Sequence, residues 1–368
     1  MQIGRETKGR GATENGAGRF ERQVAEPVDD GWGTLEALLA TAAPPKTELF
    51  ADASRTIIAK NTSPDIPFDR SINPYRGCEH GCIYCYARPS HNYLGFSSGL
   101  DFETRLFIKH DAANLLKDAL ARPGYIPAPL ALGSNTDPYQ PIERRLEVTR
   151  RVLEVLALAR HPVTIVTKSA AVLRDLDLIV PMARQGLASV ALSITTLDPE
   201  LARKLEPRAA APHRRLAAIR ELSSAGVPTA LSLAPVVPGL TDHEIERILE
   251  AAAGAGATAA SWILLRLPYD VKELFAGWLD THYPLRKEKV LAAIRQCRDG
   301  RLNDADFGSR MRGSGPMAAL IRRRFERAAE RLGLEKRQLN LRTDLFRAPG
   351  SSRPGNPGQL GLFDPLPA

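Results

Sequence analysis

Cys78, Cys82 and Cys85 stand together in the run Cys78-Glu79-His80-Gly81-Cys82-Ile83-Tyr84-Cys85, and the whole 368-residue chain holds four cysteines. Three thiolates on one tight C-x3-C-x2-C loop can hold three irons of a [4Fe–4S] cluster, which leaves the fourth iron open to a substrate or cofactor. Tyr84 puts an aromatic face beside that open corner. Zinc is the competing reading, with His80 or His91 as fourth ligand. Zinc sites usually pair two C-x2-C knuckles, or one knuckle with H-x3-5-H, and neither pattern occurs here. An odd number of clustered thiols in a long chain fits a disulfide framework poorly. Cys297 lies far away in a helix-like segment and reads as a small packed hydrophobe.

Such a loop needs a rigid scaffold, and the pattern around it supplies one. Apolar, β-rich runs recur at 129–133, 162–167, 189–194, 228–234 and 261–267, and a further strand at 68–73 precedes the cysteines. Segments of helical period lie between them at 111–121, 143–159, 170–184, 213–225 and 242–253. Strand starts about thirty residues apart suit repeated βα units. The expected fold class is α/β: six units closing into a partial (β/α)6 barrel, with extra helices at 271–279, 285–297 and 316–332. Chemistry in such an architecture gathers at the C-terminal ends of the strands, and the cysteine loop follows the first strand directly. Polar residues at the other strand ends are Thr136 and Asp137 after the second, Lys168 after the third, Ser193 in the fourth and Arg266 after the sixth. No G-x-G-x-x-G follows the first strand, which weakens a doubly wound dinucleotide fold.

Expected organisation is a flexible arm over 1–45, the barrel over 46–270, a helical extension packed on it over 271–347, and a tail over 348–368. The arm is rich in Gly, Arg and acids, and the tail in Gly, Pro and Ser. With 43% hydrophobic residues the chain can bury a large core, and no run is long and apolar enough to span a membrane. The N-terminus lacks the apolar stretch of a signal peptide, so a reducing, cytoplasmic setting is expected. A formal net charge of +8 favours polyanionic partners such as nucleic acid.

The cysteine run, with Asn73-Pro74-Tyr75-Arg76-Gly77-Cys78, Thr136-Asp137-Pro138-Tyr139-Gln140-Pro141, Thr167-Lys168-Ser169 and Glu206-Pro207-Arg208, resembles the radical S-adenosylmethionine (SAM) superfamily. Within it the likeness is to the spore photoproduct lyase-related branch and an uncharacterised bacterial subgroup, and it spans residues 52 to 346. The resemblance implies a radical SAM partial barrel whose cofactors are a [4Fe–4S] cluster and SAM. It further implies reductive cleavage of SAM to a 5′-deoxyadenosyl radical that takes hydrogen from a substrate. Cys78, Cys82 and Cys85 would ligate iron. Thr136, Asp137, Lys168 and Ser193 would hold the methionyl group of SAM, and Tyr84 would lie near adenine. A carboxylate is a strong acceptor for the SAM ammonium, and lysine neutralises the SAM carboxylate as a point charge. A reductant such as flavodoxin or ferredoxin follows from the same likeness. One departure stands out: Ser134 occupies the place where the lyases carry a hydrogen-donor cysteine, so repair of the spore thymine dimer does not carry over.

Arg208, Arg214 and Arg215 could reach a phosphate or the SAM carboxylate, and Tyr75, Tyr86 and Tyr139 could stack on a flat base. The arginine-rich helix at 316–332 mixes signs at helical spacing, as a solvated, self-paired face does. In the tail, Gln359, Leu360, Leu362 and Phe363 resemble the short peptide by which bacterial repair proteins dock on a DNA sliding clamp. Modification or repair of nucleic acid is therefore the first expectation for the substrate. The alternatives are a radical SAM enzyme acting on a protein or small molecule, and a zinc-stabilised, non-catalytic adaptor on a sliding clamp.

Overall fold

The computed structural model describes residues 9–16, 18–20, 46–336 and 340–350. Its strands are β1 (Glu48–Ala51), β2 (Ile58–Lys60), β3 (Arg70–Ile72), β4 (Tyr75–Arg76), β5 (Arg105–Ile108), β6 (Leu130–Leu132), β7 (Val163–Thr167), β8 (Ala188–Ser193), β9 (Thr229–Val236), β10 (Ala259–Leu264) and β11 (Glu335–Lys336). The main sheet has the order β11-β10-β9-β8-β7-β6-β3-β2. Strands β3, β6, β7, β8, β9 and β10 are all parallel, each beside the next in sequence, and β2 closes one edge antiparallel to β3. Each of the six expected strands is present, in the parallel order expected of the partial barrel.

Crossover helices cover the outer face, which explains why the central strands are buried almost throughout. They are α1 (Leu100–Thr104), α2 (Ala112–Leu120), α3 (Glu143–Leu146), α4 (Val148–Leu158), α5 (Leu176–Arg184), α6 (Pro199–Leu205), α7 (Pro212–Ser224) and α8 (Ile245–Gly254). The helix expected over 143–159 is broken in two at Glu147, whose φ is +50°. The break has a use. It lets the Glu143 carboxylate accept from Thr149 N at 3.1 Å and Arg150 N at 3.4 Å, and so cap the first turn of α4.

Helix α6 was not expected, although its start is well marked. Asp198 Oδ1 accepts from Glu200 N at 2.8 Å and Leu201 N at 3.2 Å, with Pro199 at the first helical position. A second, three-stranded sheet, β1-β5-β4, lies outside the sequence pattern because its strands are only two to four residues long.

The three later helices are α9 (Val271–His282), α10 (Lys287–Gln296) and α11 (Gly315–Arg331). Helix α11 packs on the barrel through Phe325, whose ring lies 6.0 Å from that of Trp262 on β10. Its basic face pairs with α8 through Arg324–Glu246 at 2.6 Å and Arg331–Glu250 at 2.6 Å. Among the described residues no helix is long and apolar enough to cross a membrane. The clamp-like peptide at Gln359, Leu360, Leu362 and Phe363 lies outside the described residues.

The expectation of a flexible arm needs correction at residues 10–15. Gly11 N and Ala12 N donate to the Glu103 carboxylate at 2.9 and 2.8 Å, and Ala12 is fully buried. Asn15 Oδ1 accepts from Asp101 N at 3.1 Å in the first turn of α1. A glycine-rich strand of chain is read as mobile from composition. Here its small residues are what allow close seating against the cysteine loop.

Candidate iron–sulfur and SAM site

The cysteine loop runs from β4 to a 3-10 turn at Arg88–Leu94. Gly77 and Gly81 have φ of +79° and +66°, a left-handed backbone that glycine adopts without strain. A Cβ on Gly77 would lie 2.9 Å from Phe102 O, and one on Gly81 2.7 Å from Glu103 Oε2. The loop is braced from below by Arg88, which is wholly buried. Its Nε donates to Cys82 O at 2.9 Å, its Nη2 to Gly81 O at 3.2 Å, and its charge is met by Glu103 at 2.5 Å. From above, Ile83 N donates to Leu205 O at 3.1 Å, which ties the loop to the end of α6.

Cys78, Cys82 and Cys85 are free thiols. Cys78 and Cys82 are buried, and burial pushes all three thiols up from their ordinary value. Nearby Lys168 pulls Cys82 and Cys85 the other way. Thiols held neutral in an apolar setting become thiolates when a cationic group supplies the missing charge, so this donor set suits iron. Among the described residues, no three His, Cys, Asp or Glu side chains gather closely enough to hold a single ion. A tetrahedral zinc with bonds of about 2.3 Å to sulfur would require that. The residues fit a larger group held at three corners.

Beside the loop, the ends of β7, β8 and β9 bring together Lys168, Ser193, Tyr84 and Glu206. Lys168 Nζ donates to Ser193 Oγ at 2.6 Å and to Ala234 O at 3.2 Å, lies 3.7 Å from Glu206 Oε1, and stands 5.9 Å over the Tyr84 ring. Ser193 Oγ donates to Ala234 O at 3.0 Å. The Tyr84 hydroxyl donates to Glu206, and Thr195 Oγ1 donates to the same carboxylate at 2.8 Å. Arg215 pairs with Glu206 from behind, and its Nη1 donates to Ser193 O at 2.8 Å. Desolvation alone would raise the Glu206 carboxyl. Arg215 and then Lys168 outweigh it and hold the group at about 2.

Thr136 and Asp137 lie on the next loop. Asp137 accepts from Thr167 Oγ1 at 2.7 Å, Lys168 N at 2.7 Å and Tyr139 N at 2.9 Å, and His80 Nδ1 is 3.3 Å away. Burial opposes its charge, but His80 and these donors keep the carboxyl at about 2. Thr136 Oγ1 donates to Tyr75 O at 2.9 Å. Both therefore shape the loop between β6 and β7, and Asp137 links it to Lys168 through the backbone.

Several expectations change here. Arg215 does not face a ligand, because it is 1% exposed and spent on Glu206. Arg208 is held by Glu79 at 2.9 Å, on the outside of the cysteine loop. Tyr75 and Tyr139 are buried and donate to Glu143 and Asp175, so neither offers a stacking face. Tyr86, at 47% exposed, does. Glu206 and Thr195 are site residues that strand-end reasoning missed. The run Glu206-Pro207-Arg208 was a signal, but only folding shows that Glu206 turns inward against Tyr84.

A family model, the radical SAM superfamily, matches residues 72–252, which spans the cysteine loop, the strand-end residues described above and the barrel strands β6 to β9. The chain carries a radical SAM domain over these residues. As in that family, its cofactors are a [4Fe–4S] cluster and SAM. An uncharacterised protein of Mycobacterium tuberculosis is 40% identical over 221 residues, 60% of this chain and 65% of that one. An uncharacterised protein of Methanocaldococcus jannaschii is 29% identical over 173 residues, 47% of this chain and 62% of that one. The match thus spans just under two thirds of these relatives. Among solved structures, spore photoproduct lyase complexed with dinucleoside spore photoproduct has a TM-score of 0.54 at 17% identity, covering 78% of this chain and 81% of that one. A variant of the same lyase with bound AdoMet and dinucleoside spore photoproduct also scores 0.54, at 16% identity over 78% and 80%. These structures share the fold with this chain.

Proposed function

We propose that this chain is a radical SAM enzyme acting on nucleic acid, with Cys78, Cys82 and Cys85 as iron ligands and Lys168 and Ser193 as partners of the SAM carboxylate. The observation that carries the reading is the juxtaposition of three free thiols on one loop, two of them buried, with the Lys168–Ser193 pair at the adjoining strand ends. When bound, the reduced cluster and SAM supply a 5′-deoxyadenosyl radical that removes a hydrogen atom from the substrate. Lys168 places one positive charge where a carboxylate can take it, and Ser193 adds a hydroxyl donor beside it. Tyr84, fixed by Glu206 and Thr195, offers its ring edge without freedom to swing. The apolar residues packed around Cys82 and Tyr84 exclude water from that corner.

Three features support nucleic acid as substrate. The net charge of +8 favours a polyanion. Tyr86 presents a flat exposed face beside the cysteine loop. The fold is shared with a lyase solved in complex with a dinucleoside. Ser134 stands where the lyases of the resembling branch carry their donor thiol, so the reaction differs from theirs in how it ends.

The test is anaerobic. Reconstituted protein with dithionite and SAM should release 5′-deoxyadenosine, and Cys82→Ala should lose both the iron and the product while Cys297→Ala keeps them. A Cys82→Ala protein with full iron and full cleavage would overturn the ligand assignment.

A further inference from the structure

The open seam of the partial barrel is where its first and last sides meet. Asp65, between β2 and β3, pairs with Arg310, which follows α10, at 2.5 and 2.6 Å. Above this clasp the Tyr86 hydroxyl donates to Ser134 O, just past β6. On the other lip Arg266, two residues past β10, sets its guanidinium 5.5 Å from the Tyr86 ring centroid. Tyr86 therefore spans the mouth, one residue beyond an iron ligand.

Arg266 differs from four arginines near the site, and from its neighbour Arg298, whose Nη1 and Nη2 donate to Ser309 O and Leu265 O. Arg88 has Glu103, Arg215 has Glu206, Arg208 has Glu79 and Arg310 has Asp65. For Arg266 there is no carboxylate within ion-pair distance among the described residues. Its Nε is buried without a hydrogen-bond partner, and Nη1 finds only Met311 Sδ at 3.8 Å. Burial, and then the charge of Arg310, both act against its protonated form. A half-desolvated guanidinium without an acceptor is unfavourable, and a tyrosine face returns only about 0.5–2 kcal/mol. The group that would complete this site is an oxyanion arriving with the substrate.

We propose that Arg266 anchors one phosphodiester oxyanion of a nucleic-acid strand at the seam, with Tyr86 as the adjoining aromatic wall. Guanidinium forks suit phosphate oxygens, and base stacking tolerates any sequence. The inference deepens the nucleic-acid reading above and rests on it.

The experiment measures fluorescence anisotropy of a labelled oligothymidylate on the anaerobic holoprotein with SAM, across a range of salt. Arg266→Gln should weaken binding roughly tenfold or more and lower the log–log salt slope by about one. Arg266→Lys should restore the slope but not the full affinity, because the fork is lost. Arg247→Gln, an exposed arginine on α8, should change little. If Arg266→Gln does not fold, wild-type protein with an oligothymidylate carrying one neutral methylphosphonate linkage gives the same information, since the linkage at the anchor should cost the same factor. Unchanged affinity and slope in Arg266→Gln, or no methylphosphonate position that matters, overturns the anchor and leaves the nucleic-acid reading standing. Failure of wild-type protein to bind the oligonucleotide overturns both. So does Arg266-dependent binding of a carboxylate-rich peptide in its place.

Discussion

Lys168 reaches from the end of β7 to the Ser193 hydroxyl on β8 at 2.6 Å, and Glu206 stays 3.7 Å behind it. Glu206 is already committed to Arg215 and Tyr84. Of the three charged groups here, Lys168 and Arg215 are positive and only Glu206 is negative, so one positive charge is left for an anionic ligand.

Lys168→Met should therefore raise the dissociation constant of SAM by about 10- to 100-fold, the worth of one charge-assisted hydrogen bond. Equilibrium dialysis with the anaerobically reconstituted protein measures it. Ser193→Ala should show a smaller loss, because a neutral donor is removed and the charge stays. Equal affinity in Lys168→Met and wild type would place the carboxylate of SAM elsewhere.

Glu206→Gln should destabilise the fold. The substitution leaves Arg215, 1% exposed, with no counter-charge, and breaking a buried pair from one side costs about 3–5 kcal/mol. Urea unfolding of the metal-free protein checks this. The double variant Glu206→Leu with Arg215→Met removes both charges and should recover much of the loss. If the double variant is as unstable as the single one, the penalty lies in packing and not in the orphaned charge.

Gly11 is a sharper test of the segment that backs the cysteine loop. A Cβ there would stand 1.8 Å from Gly81 O, and backbone cannot yield as a flexible side chain can. Gly11→Ala should push the strap off the loop, lower iron retention and speed loss of the cluster's visible absorbance in air. Overpacking of this kind costs about 1–3 kcal/mol. Gly16→Ala has open space around it and should behave as wild type. Identical bleaching rates for the two variants would free the N-terminal segment from any role in holding the loop.

Legibility in the sequence followed the range of the forces involved. The barrel strands and their helices announced themselves because period-2 and period-3.6 patterns are local consequences of burial on one face. The cysteine loop was legible because its spacing is chemistry within eight residues. What stayed hidden was set by contacts far apart in the chain. Glu206 meets Tyr84 across 122 positions and Gly11 meets Glu103 across 92, and no window of sequence shows either. The break at Glu147 and the inward turn of Arg215 are another matter, since their partners are near in the chain, Glu143 with Thr149 at six positions and Glu206 with Arg215 at nine, and only the setting of one short helix against the next brings them together. Helix α6 is different: Asp198-Pro199 was a readable start signal, and its shortness hid it.

His161 should make stability fall on the acid side of neutrality. It lies at the outer end of the sheet, fully buried, under the ring of Phe346 at 5.4 Å. Its Nδ1 is 3.0 Å from Pro162 O and its Nε2 2.8 Å from the Tyr125 hydroxyl, an arrangement that one neutral tautomer satisfies, with Nδ1–H donating and Nε2 accepting. Burial, reinforced by Arg70, lowers its pKa to about 4 from an ordinary 6.5. The unfolded chain therefore binds this proton first as pH drops. The stabilisation is complete above about 6.5 and is lost as pH falls towards about 4, with a total of roughly 3 kcal/mol. Asp137 and Glu206, both held at about 2 from ordinary values of 3.8 and 4.5, add a loss of their own only as pH falls below about 5, and that loss is common to wild type and variant. Urea midpoints at pH 7, 6, 5 and 4.5 should decline in wild type and decline less in His161→Phe, which keeps an aromatic ring against Phe346 but has nothing to protonate. Parallel profiles for the two proteins would assign the acid sensitivity to other groups.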